Sequence, residues 1–150
     1  MKRIFCGMLV LILAFGILPI AASADPGERE IIYFEDGSYL VSEVIPVSTR
    51  ASGTISGTKP YTYYSNDGRA LWKATLNGTF RYTGSSATCT SASINVSIYD
   101  SSWYTISKSA EKSGSSAIGS ASIGMKSAGV TIKTVPVSMS LTCDANGKLS

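Results

Sequence analysis

Between Arg69 and Thr83 every second residue is apolar or small. Ala70, Trp72, Ala74, Leu76, Gly78, Phe80 and Tyr82 fall on one face. Arg69, Lys73, Thr75, Asn77, Thr79, Arg81 and Thr83 fall on the other, with Leu71 the one apolar exception. A strand sends successive side chains to opposite faces, so this run calls for an antiparallel strand buried on one side. Such a strand is not stable alone, and the remaining sequence has to supply partners to cover it.

It does. Ala92, Ile94, Val96 and Ile98 continue an inward stripe after a turn at Gly84-Ser85-Ser86, and Asp100-Ser101-Ser102 turns the chain before Trp103-Tyr104-Thr105-Ile106. Ala117 to Met125 alternates small and medium residues, and Val135, Val137, Met139, Leu141 and Cys143 share a face of the last long run. Earlier, Glu30–Glu35 and Ser38–Ile45 flank Asp36-Gly37. That dipeptide predicts a type I′ hairpin, in which Phe34 faces Tyr39 and Ile32 faces Val41. Pro46 ends the second run. From Ser48 to Lys59 the chain is polar and reads as a linker or long loop, before Tyr61-Thr62-Tyr63-Tyr64 and the turn Asn66-Asp67-Gly68. No window after residue 24 carries the i, i+3, i+4 apolar spacing of a helix. The expected fold is all-β, an antiparallel β-sandwich of about seven to eight strands.

The first 24 residues read as an export signal. Lys2 and Arg3 precede the apolar run Ile4–Ile20, and Ala22-Ser23-Ala24 supplies the small residues before a cleavage site, followed by polar Asp25-Pro26-Gly27-Glu28. The expected organisation is a signal peptide at 1–24 cleaved after Ala24, an N-terminal hairpin and linker at 25–59, and the sandwich domain at 60–150. Cleavage leaves 126 of the 150 residues and removes two of the 13 basic ones, so 11 basic face 10 acidic residues. That near balance gives no basic patch for nucleic acid. No later stretch reaches the roughly 20 apolar residues of a membrane span, so no stable membrane insertion is expected.

Cys6 leaves with the signal. Cys89 and Cys143 remain in an oxidising setting, where a pair normally joins. The expected disulfide closes a loop of about 54 residues and contributes about 4 kcal/mol in the chain-entropy model. Cys89, Trp103 and Cys143 are spaced as in an immunoglobulin domain. Leu141, however, occupies the place of the corner tyrosine, and only seven residues follow Cys143, so that label does not hold.

The stretch Gly78-Thr79-Phe80-Arg81-Tyr82-Thr83-Gly84-Ser85-Ser86-Ala87-Thr88-Cys89-Thr90, with Trp103 and the ending Leu141-Thr142-Cys143-Asp144-Ala145-Asn146-Gly147-Lys148-Leu149-Ser150, resembles an uncharacterised family of small secreted proteins in Gram-positive Firmicutes. The resemblance covers Tyr61 to Ser150, and Tyr33–Tyr39 is similar to segments that precede such domains. It implies a bacterial exported protein with two cysteines. It brings no activity, ligand or site residue, because the family is a domain of unknown function.

Chemistry is constrained by what the chain lacks. With no histidine, neither a Ser-His-Asp nor a Cys-His arrangement is available, nor a histidine metal site. The acids sit mostly in turns (Glu35-Asp36, Asp67, Asp100, Asp144), where their side chains bond the backbone. Neither Asn66-Asp67-Gly68 nor Asp144–Gly147 spaces ligands as a calcium loop does. No metal, no cofactor and no catalysis are expected. The leading reading is a secreted, non-catalytic interaction module with a cell-wall or host-surface glycan or protein as partner. Its candidate ligand surface is Tyr61, Tyr63, Tyr64 and Tyr104, while Trp72, Phe80, Tyr82 and Trp103 read as core. The alternative readings are a carbohydrate- or cell-wall-binding module and a membrane-active, toxin- or bacteriocin-like protein. For the latter, Ser113–Val130 is the candidate hairpin, although Ile118 and Ile123 have opposite parity. Asn77-Gly78-Thr79 and Asn95-Val96-Ser97 match the glycosylation pattern, but read as ordinary strand residues in a bacterial protein.

Overall fold

The alternating run forms an interior strand of a six-stranded antiparallel sheet. The computed structural model describes residues 29–47 and 53–150. The expected signal segment and residues 48–52 of the expected linker lie outside the described residues. The strands are β1 (Arg29–Tyr33), β2 (Tyr39–Glu43), β3 (Ile45–Pro46), β4 (Thr54–Tyr64), β5 (Ala70–Tyr82), β6 (Ala87–Ile98), β7 (Trp103–Ser113), β8 (Ser116–Ser127) and β9 (Val130–Thr142). Sheet order is β1-β2-β4-β5-β6, with β3 also paired to β4; β7-β8-β9 form a second, three-stranded sheet. The protein is all-β, with no helix among the described residues.

The two sheets share one core. Trp72, Ala74, Leu76 and Phe80 of β5 are fully buried, and Val135, Val137, Met139 and Leu141 of β9 bury the face expected of them. Contact between the sheets is close because β8 presents small residues: a Cβ added at Gly119 would lie 2.9 Å from Leu76 Cδ1. Ala117 and Ala121 flank that glycine on the same buried face. The one residue out of phase in β5 has a structural cause. Tyr63 pairs with Trp72 and Tyr64 with Ala70, so Leu71 is the extra residue of a bulge. It is buried with its neighbour instead of facing solvent.

Three sequence expectations are corrected. The first hairpin does not use a type I′ turn. Phe34 O accepts the Gly37 amide (3.0 Å), Phe34 N donates to Ser38 O (2.9 Å), and within the turn only Gly37 has positive φ. This is a type I turn closed by a glycine bulge, which spares Asp36 the left-handed conformation that type I′ would impose. The register therefore moves by one, to Tyr33 opposite Tyr39 and Ile31 opposite Val41. The polar stretch 54–59 is strand, not linker, and pairs with β5 from Thr54↔Arg81 onward. Its lack of bulk is a packing requirement. A Cβ on Gly57 would overlap Leu149, which the chain end folds back to bury.

The third correction is the disulfide. Cys89 and Cys143 are both free thiols, 4% and 1% exposed. The two strands are joined instead through the β7–β8 turn: Cys89 N donates to Gly114 O (2.8 Å) and Cys143 N to Ser115 O (3.0 Å). Each thiol is satisfied by a carbonyl close by in the chain, Ser91 O and Asp144 O, both at 3.3 Å. Burial pushes both thiols above their ordinary pKa, which makes them poor nucleophiles.

Two outcomes follow. Gly57→Ala should lower the unfolding free energy by about 1–3 kcal/mol, the usual range for overpacking, read from the denaturant midpoint. Alkylation of purified residues 25–150 without reductant should add two groups in denaturant and none in the native state; a denatured chain that takes up no label would contradict the free thiols.

Candidate functional site

Two surfaces stand out from the ordinary polar exterior, and both are built by the corrected hairpin. On the outer face of the six-stranded sheet, Tyr33, Tyr39 and Tyr64 lie side by side across β1, β2 and β4, because Tyr33 pairs with Tyr39 and Tyr39 with Tyr64. The Tyr39 and Tyr64 rings stack at 5.0 Å and 13°, and Tyr33 follows at 5.8 Å, tilted by 41°. Tyr33 is 72% exposed. The row floors a shallow trough of about 460 Å³, continued by Ile31, Val41, Thr62 and Pro60 and bounded by the Arg29–Glu43 pair at 3.8 Å.

The second surface is a cleft of about 360 Å³ at one end of the molecule, where the β1–β2, β4–β5 and β6–β7 turns converge. Leu71, Trp103 and Met125 give it apolar walls, and the Tyr63 hydroxyl reaches it from the core. Two ion pairs stand at its rim. Lys133 of β9 pairs with Asp36 of the first turn, and Arg69 Nη1 meets Asp100 Oδ2 at 3.0 Å. Lys133 Nζ also donates to Tyr63 OH (2.7 Å), which in turn shares a hydrogen bond with Ser38 Oγ (2.6 Å).

The four tyrosines expected to form one ligand surface do not form one. Tyr61 and Tyr63 point inward and are buried, at 8% and 1% exposure. Tyr63 stacks on Trp72 (5.0 Å, 6°) and packs against Trp103 across the sheets at 5.3 Å, so its ring belongs to the core. The cause is parity: 61 and 63 share the inward face of β4, and Tyr64 alone turns out to join the row. Tyr104 lies on the other sheet. Its ring covers Gly124, Lys126 Nζ sits 4.1 Å from its centroid, and its hydroxyl bonds Thr131 Oγ1 at 2.6 Å. Sequence reasoning missed Tyr33 and Tyr39 because the one-residue register error put Phe34 opposite Tyr39. It missed the Asp36–Lys133 contact because nothing local links residues so far apart in the chain.

The turn acids do bond the backbone: Asp36 Oδ1 accepts Ser38 N (3.1 Å), Asp100 Oδ1 accepts Ser102 N (2.9 Å) and Asp144 Oδ1 accepts Asn146 N and Lys148 N (2.8 Å each). Asp36 and Asp100 also each hold a cation at the cleft.

No family model and no curated protein matches the chain. Among solved structures, it is similar to a hypothetical protein from Listeria monocytogenes at 18% identity, covering 81% of this chain and 90% of that one, with a TM-score of 0.46. That likeness assigns no activity.

The electrostatics of the cleft oppose acid catalysis at these groups. The bond from Lys133, helped by the Ser38 hydroxyl and amide, lowers the Asp36 pKa from 3.8 to about 2. The Ser102 amide and hydroxyl, with Arg69, hold Asp100 below its ordinary value. Both are anions near neutral pH, whereas a general acid needs a raised pKa. Among the described residues no three His, Cys, Asp or Glu side chains gather as a metal site would require.

The Asp36 shift carries a sign. A folded pKa below the unfolded one stabilises the protein above about pH 4, and that stabilisation is lost as pH falls toward about 2. Lys133→Met should shrink this acid-dependent loss, so wild type and variant should converge in thermal midpoint across that window. A constant gap down to pH 2 would contradict the pairing.

Proposed function

We propose that the protein is an extracellular, non-catalytic binding module whose ligand is a cell-wall or host-surface glycan, held on the row formed by Tyr33, Tyr39 and Tyr64. The row is the observation that carries this reading. The Tyr39 and Tyr64 rings lie against each other and the exposed Tyr33 ring stands beside them, so the row offers the CH-rich surface of a sugar a band of aromatic edges, the open ring of Tyr33 and a phenol hydroxyl on each residue. Tyr39 and Tyr64 are half-buried and mutually stacked, so little conformational freedom is left to lose on binding. The ionised state of Asp36 and Asp100 favours recognition over hydrolysis. Export is supported by the signal pattern at 1–24 and by the resemblance of Tyr61–Ser150 to small secreted proteins.

Purified residues 25–150 should be retained on insoluble wall or glycan fractions in a saturable way. Tyr64→Ala and Tyr39→Ala should each weaken retention about tenfold, the effect of losing one well-packed aromatic contact. Circular dichroism should remain that of the β fold. Retention unchanged in the double variant sinks the assignment of the row.

A further inference from the structure

We propose that the end cleft holds a single neutral sugar ring, the terminal unit of the glycan whose preceding units lie on the tyrosine row. This rests on the reading of the row given above and adds to it a preference for chain ends. The first ground is size and lining. A cleft of about 360 Å³ falls within the roughly 300–1,000 Å³ of small-molecule sites. Met125, with the small exposed edges of the otherwise buried Trp103 and Leu71, gives the cleft an apolar floor for one side of a ring, while the ring's hydroxyls face the polar rim.

The second ground is charge. Lys133 and Arg69 are matched one to one by Asp36 and Asp100, so the four rim groups sum to zero. An anionic or cationic ligand gains no net attraction there and has to compete with an existing ion pair. A neutral polyol does not. Each of its hydroxyls both donates and accepts, and neighbouring hydroxyls can use an ion pair as a ready donor–acceptor couple. Capacity for this remains, since Arg69 carries five N–H donors and meets Asp100 through one nitrogen, and each carboxylate has about four lone-pair sites. The rim is also preorganised. Asp36 is held by Ser38 and Lys133, and Asp100 by Ser102 and Arg69.

The third ground is continuity. The turns that form the cleft rim are the ones that end the row: Ser38 precedes Tyr39, and Ser65 follows Tyr64. The Tyr39 hydroxyl lies over the β4–β5 turn, 3.7 Å from where a Cβ of Gly68 would stand. A chain whose last ring sits in the cleft therefore passes over these turns onto the tyrosines.

The test uses residues 25–150 labelled with nitrogen-15 and titrated with glucose, galactose, mannose, N-acetylglucosamine and N-acetylmuramic acid, and with tetramers of the neutral sugars. At least one neutral monosaccharide should shift the Arg69, Ser102 and Trp103 amides saturably. Arg69→Ala and Asp100→Asn should each weaken that binding about tenfold, as loss of a hydrogen bond to a charged group does. The matching tetramer should also shift Tyr39 and Tyr64. If tetramers shift only the tyrosines and no monosaccharide binds, the cleft assignment is overturned and the row stands. Should N-acetylmuramic acid be the single monosaccharide bound, the neutral assignment is overturned. If no sugar shifts either surface, both readings are overturned together. The shift map locates the ligand even where a variant fails to fold.

Discussion

Tyr63 is the contact on which both the core and the cleft depend. Its ring lies flat on Trp72, meets Phe34 edge-on at 5.5 Å and reaches Trp103 on the opposite sheet. Its hydroxyl leaves this apolar cluster at the one point where Ser38 and Lys133 can satisfy it. A buried phenol without those partners would incur a desolvation penalty, so ring and hydroxyl fix each other's position. The consequence extends across the molecule. Lys133, drawn from the three-stranded sheet, is held against Asp36 of the six-stranded one, and the end of the structure is closed by side chains from both layers.

What could be read from the sequence was what depends on parity alone. The inward face of β5 and the stripe from Val135 to Leu141 follow directly from alternation, since a strand has only two faces. Features that depend on counting across a turn could not be read with equal ease. Asp36-Gly37 is compatible with two hairpin closures that differ by one residue, and a shift of one exchanges every cross-strand neighbour. Gly57 misled in the opposite direction. Small polar residues resemble a loop in sequence, yet here they make room for Leu149 arriving from the chain end.

The same distinction governs the candidate site. Tyr64 is expected from the sequence only as one of a set with Tyr61, Tyr63 and Tyr104, and the fold separates it from Tyr61 and Tyr63 by parity. Tyr33 and Tyr39 required the true register, and the Asp36–Lys133 pair required the tertiary fold. Leu71 is instructive, because it is the only apolar residue on the wrong face of β5. It marks the bulge whose carbonyl accepts both Tyr99 N (2.9 Å) and Asp100 N (3.1 Å), which sets the turn carrying Asp100 to the cleft. An exception to a pattern located part of the site better than the pattern did.

The unequal size of the two sheets has a dynamic consequence. Three strands cannot cover six, and β1 touches no strand except β2; all five of its residues are exposed. Detachment of β1 from β2 exposes little new apolar surface, so the amides of β1 exchange with solvent through small fluctuations, while those of β5 await disruption of the whole core. Of the row, Tyr33 alone rides on this looser margin, while Tyr39 on β2 and Tyr64 on β4 belong to the packed body. Any molecule spanning all three would fasten the margin to the body, and its footprint would register as slowed exchange in β1.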